Sequence, residues 1–376
     1  MNIGFEAKRF FTNSTGLGNY SRFIVDALSV NNENDNFFLY TPSNVPGKAS
    51  KEILNRRNVK VVRPSSTYQM FKAGSLWRTW GISQHPTIDS LNVFHGLSHE
   101  LPIGLPVHIK KIVTVHDLIF LRYPQFYRQI DIWIYKSKLL HACRNADKII
   151  AVSKQTASDL IEFLHVDEKK IEVVYQGCHS NFKRKLSAQE IEQVKIKHQL
   201  PAEYILNVGT VEERKNVLVL VKALAQIPEK SRLPLIIMGK HTPYYQTVVE
   251  EAAKLGVIKN IRFLNNIPFA DFPAIYQGAK VFVYPSLFEG FGIPLVEAIE
   301  SCVPVITSEG SCFIEAAGPS AKYINPKRSD ELKKTLMEVL SDDTLRDQMI
   351  KGSTEYIQKF RPEVISSNLI KAYKTA

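Results

Sequence analysis

Val281-Phe282-Val283-Tyr284-Pro285-Ser286-Leu287-Phe288-Glu289-Gly290-Phe291-Gly292-Ile293-Pro294-Leu295-Val296-Glu297 holds an apolar run, a glycine turn and a helix start in one stretch. The run 281–284 reads as a short strand buried on both faces, ended by a proline that cannot continue a central ladder. Pro294 suits the first turn of a helix, which places a helix over about 294–300. The stretch is therefore a strand, a loop and a helix, the repeating unit of a parallel α/β sheet.

The same rhythm runs outward in both directions. Towards the N-terminus of the second half, apolar runs at Ile205–Val208, Leu235–Met238 and Ile261–Leu264 alternate with helical patterns over 216–226, 243–255 and 271–277, and Val305-Ile306 follows. The first half repeats it with runs at Asn2–Phe5, Phe37–Tyr40, Val59–Val62, Val93-Phe94, Lys111–Val115 and Lys148–Val152, and with helices near 19–28 and 130–144. Residues 176–200 break the pattern with the polar stretch Asn181-Phe182-Lys183-Arg184-Lys185. The expectation is two doubly wound, Rossmann-like α/β domains, 1–176 and 177–357, with ligands at the carboxyl ends of the strands and a cleft between the domains.

A chain of 376 residues suits two or three domains, and 44% hydrophobic with 23% charged residues suits ordinary globular cores. The four cysteines (Cys143, Cys178, Cys302 and Cys312) form no C-x-x-C pair, which points to reduced thiols and a cytoplasmic location. No apolar stretch reaches the ~20 residues of a membrane span. The formal net charge is +11, and residues 1–175 hold 22 Lys/Arg against 15 Asp/Glu. That excess reads either as a solvated surface or as attraction to phosphorylated ligands and anionic lipid. No zinc-finger spacing or RNA-binding aromatic signature accompanies it, so nucleic acid is not expected as a partner.

Gly16-Leu17-Gly18-Asn19-Tyr20-Ser21 follows the first strand and matches a phosphate-approaching glycine loop except for its last position. A dinucleotide site also needs an acid at the end of the next strand, and Leu39-Tyr40-Thr41 has none. Gly209 closes the first strand of the second half, and Arg214-Lys215 opens the next helix. These two cations read either as a diphosphate clamp or as a basic turn balanced by Glu212 and Glu213. His116 ends the strand Val113-Thr114-Val115, on the ligand-facing edge, where a structural role is the alternative. His95 and His99 are separated by Gly96, which argues against a helical metal pair, and no metal site is expected. Glu297 has a plain reading as a first-turn acid. Glu289, in the loop beside Gly290-Phe291-Gly292-Ile293, is expected to face the cleft and accept from hydroxyls. Two hydroxyl-accepting carboxylates around an anion-favouring helix entrance describe a ligand made of sugar, diphosphate and ribose.

The ordered set Thr15-Gly16-Leu17-Gly18-Asn19-Tyr20, Thr114-Val115-His116-Asp117-Leu118, Ala151-Val152-Ser153, Val174-Tyr175-Gln176-Gly177, Asn207-Val208-Gly209-Thr210 with Arg214-Lys215-Asn216, and Glu289 to Glu297 resembles the retaining glycosyltransferases of family 4, of GT-B fold, over essentially the full length. The resemblance implies that Glu289 contacts the donor sugar, Glu297 the ribose, and Arg214 and Lys215 the diphosphate, without a metal or other cofactor. It puts Gly18 near the phosphates, His116 by the sugar and the loop Asn266-Ile267-Pro268 at the base. A last helix over roughly 362–374, within 358–376, is expected to return to the first domain. Two positions depart from the family pattern: Cys302 stands where glycine is usual, and Glu213 where proline is frequent.

The implied activity is transfer of a hexose from a nucleotide sugar to a glycan or lipid-linked acceptor in cell-surface polysaccharide assembly, with GDP-mannose expected first and UDP-sugars next. A sugar-nucleotide epimerase and a non-catalytic nucleotide-sugar-binding protein are the alternatives. The basic first half is expected to hold the acceptor. Trp77 and Trp80 are candidates for peripheral membrane contact, with core packing as the other reading.

Overall fold

The computed structural model describes residues 1–13, 15–42, 51–64 and 74–376. The chain divides into two compact units, one formed by residues 1–177 with 359–376 and the other by 178–358.

Among the described residues the first unit carries seven strands: β1 (Asn2–Glu6), β2 (Asn36–Tyr40), β3 (Val59–Val62), β4 (Val93–Gly96), β5 (Lys110–Val115), β6 (Lys148–Ala151) and β7 (Ile171–Val173). They form one parallel sheet in the order β3-β2-β1-β4-β5-β6-β7. The second unit carries six: β8 (Ile205–Val208), β9 (Leu235–Met238), β10 (Ile261–Leu264), β11 (Val281–Tyr284), β12 (Val305–Ser308) and β13 (Lys322–Ile324). Their order is β10-β9-β8-β11-β12-β13, again all parallel. In each sheet the order reverses beside the first strand of the unit, between β1 and β4 and between β8 and β11. A crevice opens at such a reversal, because the connecting helices leave towards opposite faces.

The apolar runs are strands because both faces of each sheet are covered. Ile3, Phe5, Phe94 and Val113 in the first sheet, and Ile205, Leu206, Phe282 and Val283 in the second, are fully or almost fully buried. The strands β7 and β13 leave no apolar run in the sequence. Each is short, lies at a sheet edge and is mostly half-buried, so its side chains need not be apolar.

Two expectations are corrected. The glycine segment after β1 is not a loop: the helix runs Gly16–Asn31, so Gly16 and Gly18 form its first turn. The amides there are partly satisfied from within, since the Asn13 side-chain oxygen accepts from Thr15 N–H at 2.7 Å and from Gly18 N–H at 3.4 Å. A Cβ at Gly18 would lie 1.8 Å from the Asn13 carbonyl oxygen, so only glycine admits this close approach. Finally, Trp77 is buried in the first core beside Tyr40 and takes no part in any surface, whereas Trp80 is half exposed.

The last helix, Pro362–Thr375, belongs to the first unit and packs along the helix Gly16–Asn31. Its Tyr373 hydroxyl is 2.7 Å from His95 Nδ1, and His95 Nε2 is 2.8 Å from the Thr114 hydroxyl, which lies 3.0 Å from the Tyr20 hydroxyl. This buried chain explains His95 as a structural residue. Burial, reinforced by His116, drops its pKa to about 3, so it is neutral in the core.

Candidate active site

The second unit gathers the charged residues singled out by sequence at the reversal between β8 and β11. Gly209 follows β8, a short 3-10 turn covers Glu213–Lys215, and Glu289 sits in the loop after β11. Lys215 Nζ lies 2.6 Å from Glu289 Oε1, and Arg214 Nη1 lies 2.9 Å from Glu289 Oε2. The Ser286 and Tyr284 hydroxyls also donate to Oε1, at 2.6 and 3.0 Å. Arg214 is further held by the Phe288 carbonyl and by Glu212, each at 2.6 Å. Glu213, on the other side of the turn, is exposed and forms no ion pair among the described residues.

The backbone around these side chains is fixed locally. Asn216 adopts a left-handed conformation (φ 55°), and its amide donates to the Pro285 and Pro326 carbonyls at 3.0 and 2.7 Å. The Glu289 carbonyl accepts from Ser311 Oγ at 3.1 Å and Cys312 Sγ at 3.2 Å. Asn216, Ser286 and Ser311 are therefore parts of the site that no charge pattern announces. Gly292 has φ +92° at the N-terminal cap of the helix Ile293–Glu300, a conformation that favours glycine. Gly290 and Phe291 are buried beneath that turn.

The two glutamates have opposite electrostatics. Burial acts to raise the Glu289 carboxyl, but the Lys215 and Arg214 charges and the hydrogen bonds from Lys215 and Ser286 outweigh it and hold the pKa at about 2. Glu289 thus has a structural reason for its position, as the shared counterion of two cations. Glu297 is not a first-turn acid: the first turn of its helix contains none, and Glu297 lies inside, 7% exposed. Its burial pushes the pKa up to about 7, and the Tyr276 hydroxyl, donating at 2.8 Å, only partly offsets this. Asn266 and Ile267 follow β10 in the same unit. Asn266 is exposed with φ 56°, and Ile267 is half-buried.

His116 lies in the first unit and is 7% exposed. The Leu97 carbonyl only accepts, so His116 Nε2 carries the hydrogen at 2.9 Å from it and Nδ1 keeps a lone pair. His116 N–H donates to His99 Nε2 at 2.8 Å. Burial, then the neighbouring His99, lowers the His116 pKa to about 3, so the ring is neutral near pH 7. Among the described residues, no group of three or more His, Cys, Asp or Glu could hold a metal ion.

A family model described as "Glycosyl transferases group 1" matches residues 188–356, and one described as "Glycosyltransferase Family 4" matches residues 33–182. The O-antigen chain mannosyltransferase B of Escherichia coli is 30% identical over 75% of this chain and 74% of its own length. The chain belongs to glycosyltransferase family 4. A second relative of this family 4 glycosyltransferase is the serotype-specific mannosyltransferase WbdA of Escherichia coli, 27% identical over 67% of this chain; the match takes in 32% of the relative, about a third of its length. The solved structure of Anabaena Alr3699/HepE in complex with UDP and glucose matches with a TM-score of 0.76 at 18% identity, over 100% of both chains. WaaG, a glycosyltransferase involved in lipopolysaccharide biosynthesis, matches with a TM-score of 0.70 at 15% identity, over 99% of this chain and 98% of its own. At these identities the structures establish the fold, which is GT-B.

The same family 4 glycosyltransferase explains the Cys302 departure. Cys302 has φ 57° at the end of the helix Ile293–Glu300. Its N–H donates to the Ile299 carbonyl at 2.9 Å, and Val303 N–H donates to the Ala298 carbonyl at 3.0 Å. That pair of bonds is a Schellman cap, whose left-handed residue is usually glycine. The cysteine keeps the glycine conformation, and the backbone there is unchanged in type.

Proposed function

We propose that this glycosyltransferase transfers a hexose, mannose first, from a nucleoside diphosphate sugar to a glycan or lipid-linked acceptor hydroxyl, with retention of anomeric configuration and without a metal. The observation that carries the reading is the pairing of Arg214 and Lys215 with one buried carboxylate at the β8–β11 reversal. Two cations fixed at a strand edge beside a helix entrance match a leaving diphosphate. Glu212, the most exposed member of the cluster, is the partner Arg214 gives up most readily to a phosphate. Glu289 then keeps both cations in place and offers its outer oxygen to a sugar hydroxyl. Glu297, its carboxyl raised by burial to a pKa of about 7, donates to or accepts from the ribose.

Charge developing on the leaving diphosphate is stabilised by groups already in position, so little reorganisation is needed at the transition state. One phosphate oxygen takes the acceptor proton on the face from which the diphosphate departs. The mannosyl donor is supported by the names of the two Escherichia coli relatives, and a uridine donor by the UDP complex of the structural neighbour.

A membrane-borne acceptor is supported by the charge distribution. The first unit holds 26 Lys/Arg against 16 Asp/Glu, the second 22 against 21. On its helix Gln129–Asn145, Ile130 and Trp133 are 60% and 68% exposed, three positions apart on one face, with Arg128, Lys136 and Lys138 beside them. No described helix is long and apolar enough to cross a membrane.

The deciding experiment incubates the protein with GDP-mannose or UDP-glucose, with and without a mannoside acceptor, and follows nucleotide release and product anomer by NMR. Donor-dependent formation of an α-linked product from an α-linked donor is expected. Conversion of the donor to another sugar nucleotide without acceptor, or binding with no turnover, overturns the reading.

A further inference from the structure

The first sheet reverses between β1 and β4 as the second does between β8 and β11, and a cavity of about 220 Å³ opens there. Its wall comes from the segments after three adjacent strands: Arg9 after β1, Ser98 to Glu100 after β4, and Asp117 after β5, closed by Tyr127, Tyr135 and Lys138. That size lies below the roughly 300 Å³ at which pockets for drug-sized ligands begin, so it suits one sugar ring and its substituent.

The charges are uneven in their pairing. Glu100 is bound by Arg78 at 2.6 Å and by Lys138 at 3.0 Å, and Arg78 also holds Glu6 at 2.7 Å. Asp117 accepts from Ile119 N–H at 3.1 Å. The half-buried Arg9 side chain forms no ion pair or hydrogen bond among the described residues. Lys8 beside it has none either, and its pKa is lowered by burial and by the Arg78 and Arg9 charges. The half-buried Arg9 guanidinium has the Glu100 charge within electrostatic range but no direct partner, so its donors remain open to an anion. Tyr127 and Tyr135 stand edge to face with ring centroids 6.5 Å apart, and both pack against Phe120. Such rings offer flat apolar faces to the C–H side of a sugar.

We propose that this cavity takes the acceptor as an anionic saccharide, one whose phosphate or carboxylate pairs with Arg9 while its ring lies against Tyr127 and Tyr135. Glu100 and Asp117 accept from its hydroxyls. The inference rests on the transferase reading for calling the ligand an acceptor, but the binding itself is independent of turnover. The anion belongs either to a free acidic sugar or to a lipid-linked sugar phosphate, and the two sources are separable.

The test is calorimetric titration of the full chain in an Arg214→Gln/Lys215→Gln background, so that phosphate cannot bind the second unit's cations. The soluble probes are mannose 6-phosphate, methyl glucuronide and neutral methyl mannoside. The membrane probe is phosphatidylcholine vesicles with and without polyprenyl phosphate mannose. One charged soluble probe is expected to bind roughly tenfold or more tighter than methyl mannoside, the scale of one charge-assisted hydrogen bond. Arg9→Gln erases that preference and leaves the melting temperature unchanged, and Arg9→Lys keeps part of it. Preference confined to the doped vesicles, and lost in Arg9→Gln, assigns the anion to a lipid carrier. Equal binding of charged and neutral probes in both arms, or a preference that survives Arg9→Gln, overturns the proposal. Should Arg9→Gln fold poorly, Tyr135→Ala gives a second test, because Tyr135 is half exposed; unchanged binding of every saccharide to it also overturns the proposal. Donor binding to the unmodified chain is measured alongside, so failure of the transferase reading shows as loss of that signal alone.

Discussion

Glu289 and Glu297 flank one helix entrance, and their carboxyls are pushed in opposite directions, the first down to a pKa of about 2 and the second up to about 7. The difference is one of partners. Glu289 faces two cations, whereas Glu297 has a tyrosine hydroxyl and no cation among the described residues.

Glu289→Gln keeps the shape and removes the charge. Lys215 and Arg214 then lose their buried counterion, and stability is expected to fall by about 3 kcal/mol. Urea unfolding measures the loss. Donor turnover is expected to fall at least ~100-fold, the scale of removing preorganised charge stabilisation. Arg214→Gln/Lys215→Gln is expected to lose turnover on the same scale with weaker donor binding, and unchanged turnover in that variant would remove the leaving-group role.

Glu297 predicts a pH dependence of opposite sign to the usual carboxylate. Its folded pKa lies above the unfolded value near 4.5. Below pH 4.5 both states are protonated. Between 4.5 and 7 the unfolded chain releases its proton while the folded protein keeps it, so stability declines across that window by roughly 3 kcal/mol. Glu289 acts lower: its contribution is present above pH 4.5 and is lost as pH falls towards 2. Denaturation at pH 5 and pH 8 is expected to show a smaller decline in Glu297→Gln than in the parent chain.

Cys302→Gly is expected to raise stability. A left-handed non-glycine residue costs about 1–2 kcal/mol, and the extra freedom of glycine in the unfolded chain returns part of that. A net gain of about 0.5–1 kcal/mol, read as a higher melting temperature with unchanged donor affinity, is the expected result.

Gly16 and Gly18 share one helical turn and are expected to answer alanine differently. Nothing lies within 4 Å of a Cβ at Gly16, whereas a Cβ at Gly18 meets the Asn13 carbonyl at 1.8 Å. Gly16→Ala is expected to stabilise by about 0.5–1 kcal/mol through helix propensity. Gly18→Ala is expected to destabilise by about 1–3 kcal/mol, the usual range for forcing an overpacked contact. Melting curves of the two variants settle the contrast.

The two sheets were legible because buried parallel strands are apolar on both faces, as in Val281–Tyr284 and Ile205–Val208. The edge strands Ile171–Val173 and Lys322–Ile324 carry no such requirement and left no trace. The membership of the charged cluster was legible from Arg214-Lys215 and Glu289 separately. Its wiring was not, since Lys215 and Glu289 are 74 residues apart and only the sheet order brings them together. Of the two readings of Glu297, the plain one of a first-turn acid falls, because an acid near Pro294 looks the same in sequence whether it points to solvent or into the core. The cavity in the first unit was invisible for a related reason: Arg9, Glu100 and Asp117 come from loops after three different strands.

The hydroxyl of Tyr373 closes on His95, joining the last helix to a strand formed near the beginning of the chain. The first unit therefore begins before the second in translation and is finished after it. Until residue 373 has left the ribosome, the helix Gly16–Asn31 lacks the surface it packs against, while residues 178–358 are one continuous stretch of chain. The nascent protein is expected to complete its second half before its first, with an open groove along Gly16–Asn31 for chaperones to cover in the interval.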